Sequence, residues 1–161
     1  RSLWEKANAI DNTPVVPYSE AKSISKERTF HEDTLDLRFI RNLIIDIVDK
    51  LSFELRNTAK LASIVTVKIR YADFNTFTKQ KKISYTAQDN TLAEIALQLF
   101  DKVYERRQLI RLVGVKFSGL VQGNYQISLF DDSVDKLRLL QEMDQIRKRF
   151  GADAIGRASA L

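Results

Sequence analysis

The sequence predicts an α+β fold in which a four-stranded sheet carries two helices on one of its faces, followed by a C-terminal helical extension. Extended and helical patterns alternate in βαββαβ order between residues 22 and 120. Each of the two helices has a single apolar stripe, and two such helices can cover only one face of the sheet. The other face is therefore predicted to be open.

Length and charge set the broad class of protein. The 161 residues, 44% of them hydrophobic, suffice for one domain with an extension. The formal net charge is +5, and the basic excess lies between residues 19 and 130, which favours a polyanionic partner. The absence of cysteine argues against thiolate metal sites and favours a cytoplasmic protein, and no apolar run is long enough to predict a membrane partner.

A linker precedes the first predicted strand, residues 22–30. Residues 1–18 contain both prolines, which favour extended backbone, and they begin with Arg1 rather than Met, which suggests a piece of a longer protein. Alternate strand residues lie on opposite faces, so one face carries three small hydroxyls and Glu27. Such a face suits phosphate contact, although a solvated edge strand has the same pattern.

The first helix and the second strand follow. Apolar residues recur at helical spacing from Leu37 to Leu55, and Asp33 or Thr34 can cap this helix. His31 is assigned to the loop before it. Residues 65–71 then alternate as a strand with one apolar face and one basic face.

The third strand, the second helix and the fourth strand complete the predicted domain. Residues 76–86 form the third strand, with Phe77, Ile83 and Tyr85 on the inward parity. Thr91 begins the second helix, where its hydroxyl and Glu94 give a capping-box pattern. Residues 109–120 form the fourth strand, in which the residues predicted to point inward are Val113, Val115 and Phe117.

The predicted open face is polar and basic and has almost no aromatic residues. It therefore fits contact with a phosphate backbone better than base stacking, which an RNA-recognition module of the same element order would require. The candidate phosphate contacts, on this face or at strand ends and edges, are Lys22, Ser23, Ser25, Lys26, Thr29, Lys68, Arg70, Thr76, Thr78, Lys79, Arg111 and Lys116.

A short motif follows the fourth strand, with the residues Gln126, Ile127, Ser128, Leu129 and Phe130. Its spacing is that of a peptide that docks into the apolar pocket of a bacterial sliding clamp. Leu129 and Phe130 would fill the pocket while Gln126 forms a hydrogen bond at its rim. The alternative is that Ile127, Leu129 and Phe130 belong to the core of the domain.

Together, residues 17–30, 65–71, 112–118 and 126–130 resemble the C-terminal region of a bacterial Y-family translesion DNA polymerase of the polymerase IV type. The resemblance implies that the region is a little finger, a DNA-binding domain that contacts the backbone of primer–template duplex DNA. Ser25 departs from the family pattern, in which glycine is common. The implied division is 1–18 as the end of the thumb and a linker, 19–122 as the little finger, 123–132 as the clamp-binding segment, and 133–161 as a helical tail.

The resemblance places catalysis outside this chain. Family members hold Mg²⁺ with carboxylates of a palm domain, and no matching motif occurs in these residues. The chain by itself is expected to be inert and to carry no cofactor, with the polymerase core upstream in the same chain. The pair Asp131 and Asp132 is interpreted as a solvated helix start.

The tail is predicted to form a helix that ends at Gly151, with Leu139, Met143, Ile146 and Phe150 on one apolar stripe. The partner of this stripe is left open between this domain, a second copy and the polymerase core. Two other hypotheses for the whole chain are a protein-interaction module and an RNA-binding βαββαβ domain.

Overall fold

A computed structural model describes residues 2–11, 13–15, 20–105, 107–123 and 134–156. It confirms the predicted order of elements and adds a short helix at the start and a fifth, two-residue strand. The elements are α1 Ser2–Ala7, β1 Ser23–Thr34, α2 Leu37–Asn57, β2 Lys60–Tyr71, β3 Thr76–Thr86, α3 Asp89–Val103, β4 Ile110–Ser118, β5 Val121–Gln122 and α4 Val134–Phe150.

The four long strands form a sheet in the order β1-β4-β2-β3, in which all neighbours are antiparallel. β4 and β2 are central, and β1 and β3 are the edges. β5 pairs with the start of β2, opposite Lys60 and Leu61. Neither β1 and β2 nor β3 and β4 are neighbours, so α2 and α3 each carry the chain past an intervening strand.

The core lies between the sheet and the helices α2 and α3. The inward parity predicted for the two central strands is confirmed, since Val67, Ile69, Val113 and Phe117 are all fully buried. The helix stripes pack against them. The prediction is wrong for Tyr85, which is 54% exposed and lies between Lys82 and Thr86, where the pairing of β3 with β2 is irregular. β3 is an edge strand, and the two helices do not cover it completely.

The start of α2 differs from the prediction. β1 continues to Thr34, so His31 lies in a strand rather than a loop, and neither Asp33 nor Thr34 is the cap. Asp36 is the N-cap, and its carboxylate accepts a hydrogen bond from the backbone N–H of Phe39 at 3.0 Å. The Thr34 hydroxyl instead accepts from the Asp36 N–H at 3.1 Å, which fixes the cap residue.

The predicted capping box of α3 is also wrong. The helix begins at Asp89, after Gln88 as the N-cap, and Thr91 already lies inside its first turn. The Thr91 hydroxyl donates to the Gln88 side chain at 2.7 Å rather than capping a backbone N–H. The earlier start brings Asp89, which is 1% exposed, into an ion pair with Arg56 of α2.

α4 docks on α2 through charged residues. The Arg56 guanidinium donates to both carboxylate oxygens of Asp144, at 2.6 and 2.9 Å, and Arg147 forms an ion pair with Asp49 of α2. Arg147 also donates to the carbonyl of Ile155 at 3.0 Å. This domain is therefore a partner of the tail, through a charged face of α4.

The predicted apolar stripe of α4 is not what docks. Leu139 and Phe150 are 61% and 66% exposed. Gly151 follows the helix with φ at +103°, and its N–H donates to the Arg147 carbonyl at 2.9 Å, as expected for a glycine after a helix end.

Burial and charge shift two pKa values in this cluster. Burial disfavours the Arg56 cation, but Asp144 and Asp89 outweigh that effect and raise the pKa of Arg56. Burial raises the pKa of Asp89 to about 6; Arg56 opposes the shift and the neighbouring Asp49 carboxyl adds to it.

Candidate nucleic-acid interface

The strand register defines four rows of side chains across the face of the sheet that lies opposite the helices. Each row takes one residue from β1, β4, β2 and β3 in that spatial order, and rows are separated by about 6.8 Å along a strand. The rows are Ser23, Ser118, Ile64 and Lys82; Ser25, Lys116, Thr66 and Gln80; Glu27, Gly114, Lys68 and Thr78; and Thr29, Leu112, Arg70 and Thr76.

This register brings most of the predicted phosphate contacts onto one surface, here called the open face. No aromatic residue occurs in these four described rows. The predicted contacts that share the open face are Ser23, Ser25, Thr29, Lys68, Arg70, Thr76, Thr78 and Lys116.

Four other predicted contacts lie away from the open face. Lys26 and Lys79 are opposite Val115 and Val67, so they have helix-side parity, but both are exposed at the two edges of the sheet. Lys22 precedes β1 and is exposed. These three lysines can reach only a ligand that extends past the sheet edges.

Arg111 lies at an irregularity in the pairing of β4 and is bound by its own domain. One of its guanidinium nitrogens is 3.5 Å from the Asp33 carboxylate. Its Cζ lies 4.6 Å from the centre of the Phe74 ring. These contacts hold the Arg111 guanidinium beside β1, and a phosphate would compete with Asp33 for it; its phosphate contact stays a prediction.

An ion pair occupies the centre of the open face. The Lys68 ammonium donates to both carboxylate oxygens of Glu27, each at 2.9 Å. These residues belong to β2 and β1, with Gly114 of β4 between them in the same row. Parity in the sequence predicts that Glu27 lies on this face. Predicting its pairing with Lys68 also requires the order of the strands in the sheet, which parity does not give.

Other side chains on the open face are oriented by short polar contacts or add to the candidate phosphate contacts. The Arg70 Nε donates to the Thr76 hydroxyl at 2.9 Å, which orients this guanidinium along the row. Lys82 shares a row with Ser23 and is exposed on the outer strand β3. Its even-numbered parity with Thr76 and Thr78 predicts this position from the sequence, and the register confirms it.

The predicted clamp-binding residues, Gln126–Phe130, lie outside the described residues, as do Asp131 and Asp132. Within the residues that the structure describes, no group of three or more histidine and acidic side chains is placed to hold a metal ion. In the same residues, no helix is long and apolar enough to cross a membrane.

Comparison with known proteins identifies the family. The sequence model of the impB/mucB/samB family C-terminal domain matches residues 21–129. The chain belongs to this family. The matched residues include the strands of the open face and the helices α2 and α3.

Several curated relatives of this impB/mucB/samB domain are DNA polymerases IV. That of Clostridium acetobutylicum is 34% identical over 164 residues, which cover 99% of this chain and 41% of the relative. That of Dehalococcoides mccartyi strain CBDB1 is 35% identical over 155 residues, covering 95% and 40%. The chain thus spans about two fifths of the length of these relatives, and the predicted resemblance is confirmed.

Solved structures show the same fold. The insertion ternary complex of Dbh DNA polymerase matches 74% of this chain and 34% of its own, with 18% identity and a TM-score of 0.55. The little finger domain of PolIV in complex with the beta-clamp processivity factor matches 67% of this chain and 98% of its own, with 24% identity and a TM-score of 0.50.

Proposed function

We propose that this chain is the little finger domain of an error-prone translesion DNA polymerase of the polymerase IV type. Its open face binds the backbone of primer–template duplex DNA. The register carries this proposal, because it aligns hydroxyl and basic side chains from all four strands on a single surface without aromatic residues. Relatives of the same family are named DNA polymerase IV, and one solved neighbour is a polymerase ternary complex.

The side chains of this face suit binding to DNA phosphates rather than recognition of the base sequence. Lys116 offers an exposed ammonium, and Arg70 offers a guanidinium that Thr76 orients. The serine and threonine hydroxyls offer short hydrogen-bond donors. Phosphate contacts position a protein on a duplex without reading its bases. A polymerase that must copy any template needs contacts of this kind.

Catalysis belongs to the remainder of the parent protein. The parent would carry out template-directed nucleotidyl transfer in the cytoplasm, in DNA repair and damage tolerance, with a mutator effect. Mg²⁺ would be held by carboxylates of the polymerase core upstream in the same chain. The role of the described residues is to bind DNA, and they contain no cluster of metal ligands.

Tethering to the sliding clamp is the second part of the proposal. Residues 126–130 have the spacing of a clamp-binding peptide, and the solved little finger of PolIV is in complex with the beta-clamp factor. Such a tether would keep the polymerase at the primer end by raising its effective concentration there.

The DNA-binding prediction is tested by replacing Lys116 with glutamine. This variant should bind duplex DNA more weakly, and its slope of log affinity against log salt should be shallower by about 0.9, the value of one lost phosphate contact. Fluorescence anisotropy on a primer–template duplex between 50 and 300 mM salt measures both quantities. Lys102→Gln, on the helix layer, is the control, with the same charge change away from the open face.

Two results would contradict the function. A wild-type chain that does not bind, or whose binding does not respond to salt, would exclude a phosphate-gripping face. Equal effects of Lys116→Gln and Lys102→Gln would show that only net charge matters. Tighter binding to single-stranded RNA than to duplex DNA would favour the RNA-binding alternative.

The tether prediction is tested with the double variant Leu129→Ala and Phe130→Ala. Capture on immobilised sliding clamp should be lost, because both apolar anchors are removed, while duplex affinity stays at the wild-type value. The matched control is Leu139→Ala with Phe150→Ala, which removes two exposed apolar side chains of α4. Unchanged capture by the first variant would refute the tether.

A further inference from the structure

The Glu27–Lys68 ion pair crosses β4 at Gly114, a residue without a side chain. Glu27 and Lys68 belong to strands two places apart in the sheet, so their backbones are separated by roughly 9.6 Å, twice the usual strand spacing. Both side chains must therefore lie flat across Gly114 to reach the observed 2.9 Å contacts.

Gly114 is what makes this crossing possible. A Cβ built at Gly114 would lie 2.6 Å from the Cγ of Glu27, closer than real atoms approach, and 3.2 Å from its Cβ, which is a tight contact. Any other residue would push the carboxylate arm of Glu27 away from the sheet. The position of the Glu27 side chain in the centre of the open face therefore depends on the absence of a side chain at Gly114.

Stability does not account for a carboxylate at this position. The Lys68 and Glu27 side chains are 28% and 40% exposed, and ion pairs of that exposure contribute little to the free energy of folding. On a surface that binds phosphates, however, a carboxylate has two unfavourable effects on affinity. It neutralises the one ammonium of its row, and it repels a phosphate that approaches the same place.

We propose that Glu27 is an affinity-limiting residue that holds Lys68 away from the DNA backbone and stays paired with it in the complex. This inference rests on the proposed function. If a phosphate paired with the Lys68 ammonium, the Glu27 carboxylate would lose this partner and would lie next to the phosphate. Because Glu27 and Lys68 belong to the same sheet, the Glu27 carboxylate also competes with phosphate, as an intramolecular ligand, for the Lys68 ammonium.

The consequence is that the open face grips DNA in two strips rather than one. One strip contains Ser25 and Lys116 with the row next to them, and the other contains Thr29, Arg70 and Thr76. The neutral Glu27–Lys68 pair between them contributes no phosphate contact. The domain then binds less tightly than its count of basic residues indicates, which lets a duplex advance across it.

The test compares salt slopes of four chains, all with duplex DNA as the probe. Glu27→Gln frees Lys68 for one additional phosphate, so the slope should become steeper by about 0.9 and affinity at 0.1 M salt should rise about five- to tenfold. Glu94→Gln on α3 is the control, since it makes the same charge change on the helix layer. Its slope should remain that of the wild type.

The double variant Glu27→Gln with Lys68→Gln distinguishes a closed pair from an opened one. If the pair stays closed in the complex, the double variant keeps the wild-type slope, because it replaces a neutral pair with a neutral pair. A slope shallower by about 0.9 would show that Lys68 contacts DNA in the wild type and would overturn the inference.

Two further outcomes separate this inference from the function on which it rests. Salt-dependent binding by the wild type, with identical behaviour of Glu27→Gln and Glu94→Gln, would overturn the role of Glu27 alone. A wild type that binds no duplex would overturn both. Gly114→Ala should reproduce the tighter binding of Glu27→Gln by displacing the carboxylate, and a folded Gly114→Ala chain with wild-type affinity would contradict the proposal.

Discussion

Replacing Arg147 with alanine should lower the free energy of unfolding by about 3–5 kcal/mol, the usual effect of breaking a buried ion pair. Arg147 is 3% exposed, and its guanidinium contacts the Asp49 carboxylate and the Ile155 carbonyl. Its removal leaves Asp49 buried in the helix layer without this cation. α4 should then leave α2, since the remaining Arg56–Asp144 contact is not enough to order 17 residues.

Urea denaturation gives the loss of stability, and hydrogen exchange locates it. Amides of α4 should lose protection first. Arg138→Ala, an exposed arginine of the same helix, should behave like the wild type. A double variant Asp49→Leu with Arg147→Met should recover most of the stability, because a well-packed apolar pair can replace a buried ion pair. Equal destabilisation by the double and single variants would contradict this account.

The chain should also gain stability as the pH falls from about 7 to about 4, through Asp89. Burial raises the pKa of this carboxyl from 3.8 to about 6 in the folded state. Between those values the folded chain binds more protons than the unfolded chain, so the free energy of unfolding increases as the pH decreases. A difference of this size corresponds to at most about 3 kcal/mol.

The wild type and an Asp89→Asn variant should be unfolded with urea at several pH values between 4 and 7.5. Asparagine has the same shape and does not titrate, so subtracting its profile removes the contribution of the other carboxyl groups. The difference between the two proteins should favour the wild type increasingly at low pH. Parallel profiles, or a difference of the opposite sign, would show that Asp89 is not protonated on folding in this range.

The parts of the fold that the sequence predicted are those set by one-sided burial. The stripes of α2 and α3 and the parities of β2 and β4 follow from apolar spacing, because each element has a single face in the core. The same spacing carries no information on which strands are neighbours. The Glu27–Lys68 pair depends on β4 lying between β1 and β2, so it could not be predicted without the sheet order.

Local errors came from polar residues whose partners are distant in sequence. The capping pattern at Thr91 was outweighed by Asp89, which pairs with Arg56 more than thirty residues earlier. The apolar stripe of the tail predicts docking through apolar residues, yet α4 docks through Asp144 and Arg147, whose partners lie in α2. Spacing within an element cannot reveal contacts of this kind.

The central position of β4 has a consequence for how the protein is made. β1 pairs with β4 alone among the described strands, and their register joins Ser23 to Ser118. A ribosome adds roughly 5–20 residues per second, so β1 emerges several seconds before its partner exists. During that interval the β2–β3 hairpin can form, whereas β1 has exposed backbone and no neighbour. We therefore expect chains that end before Ile110 to aggregate through β1 more readily than the full chain does, although the hydroxyl and basic residues of that strand limit this aggregation until β4 is made.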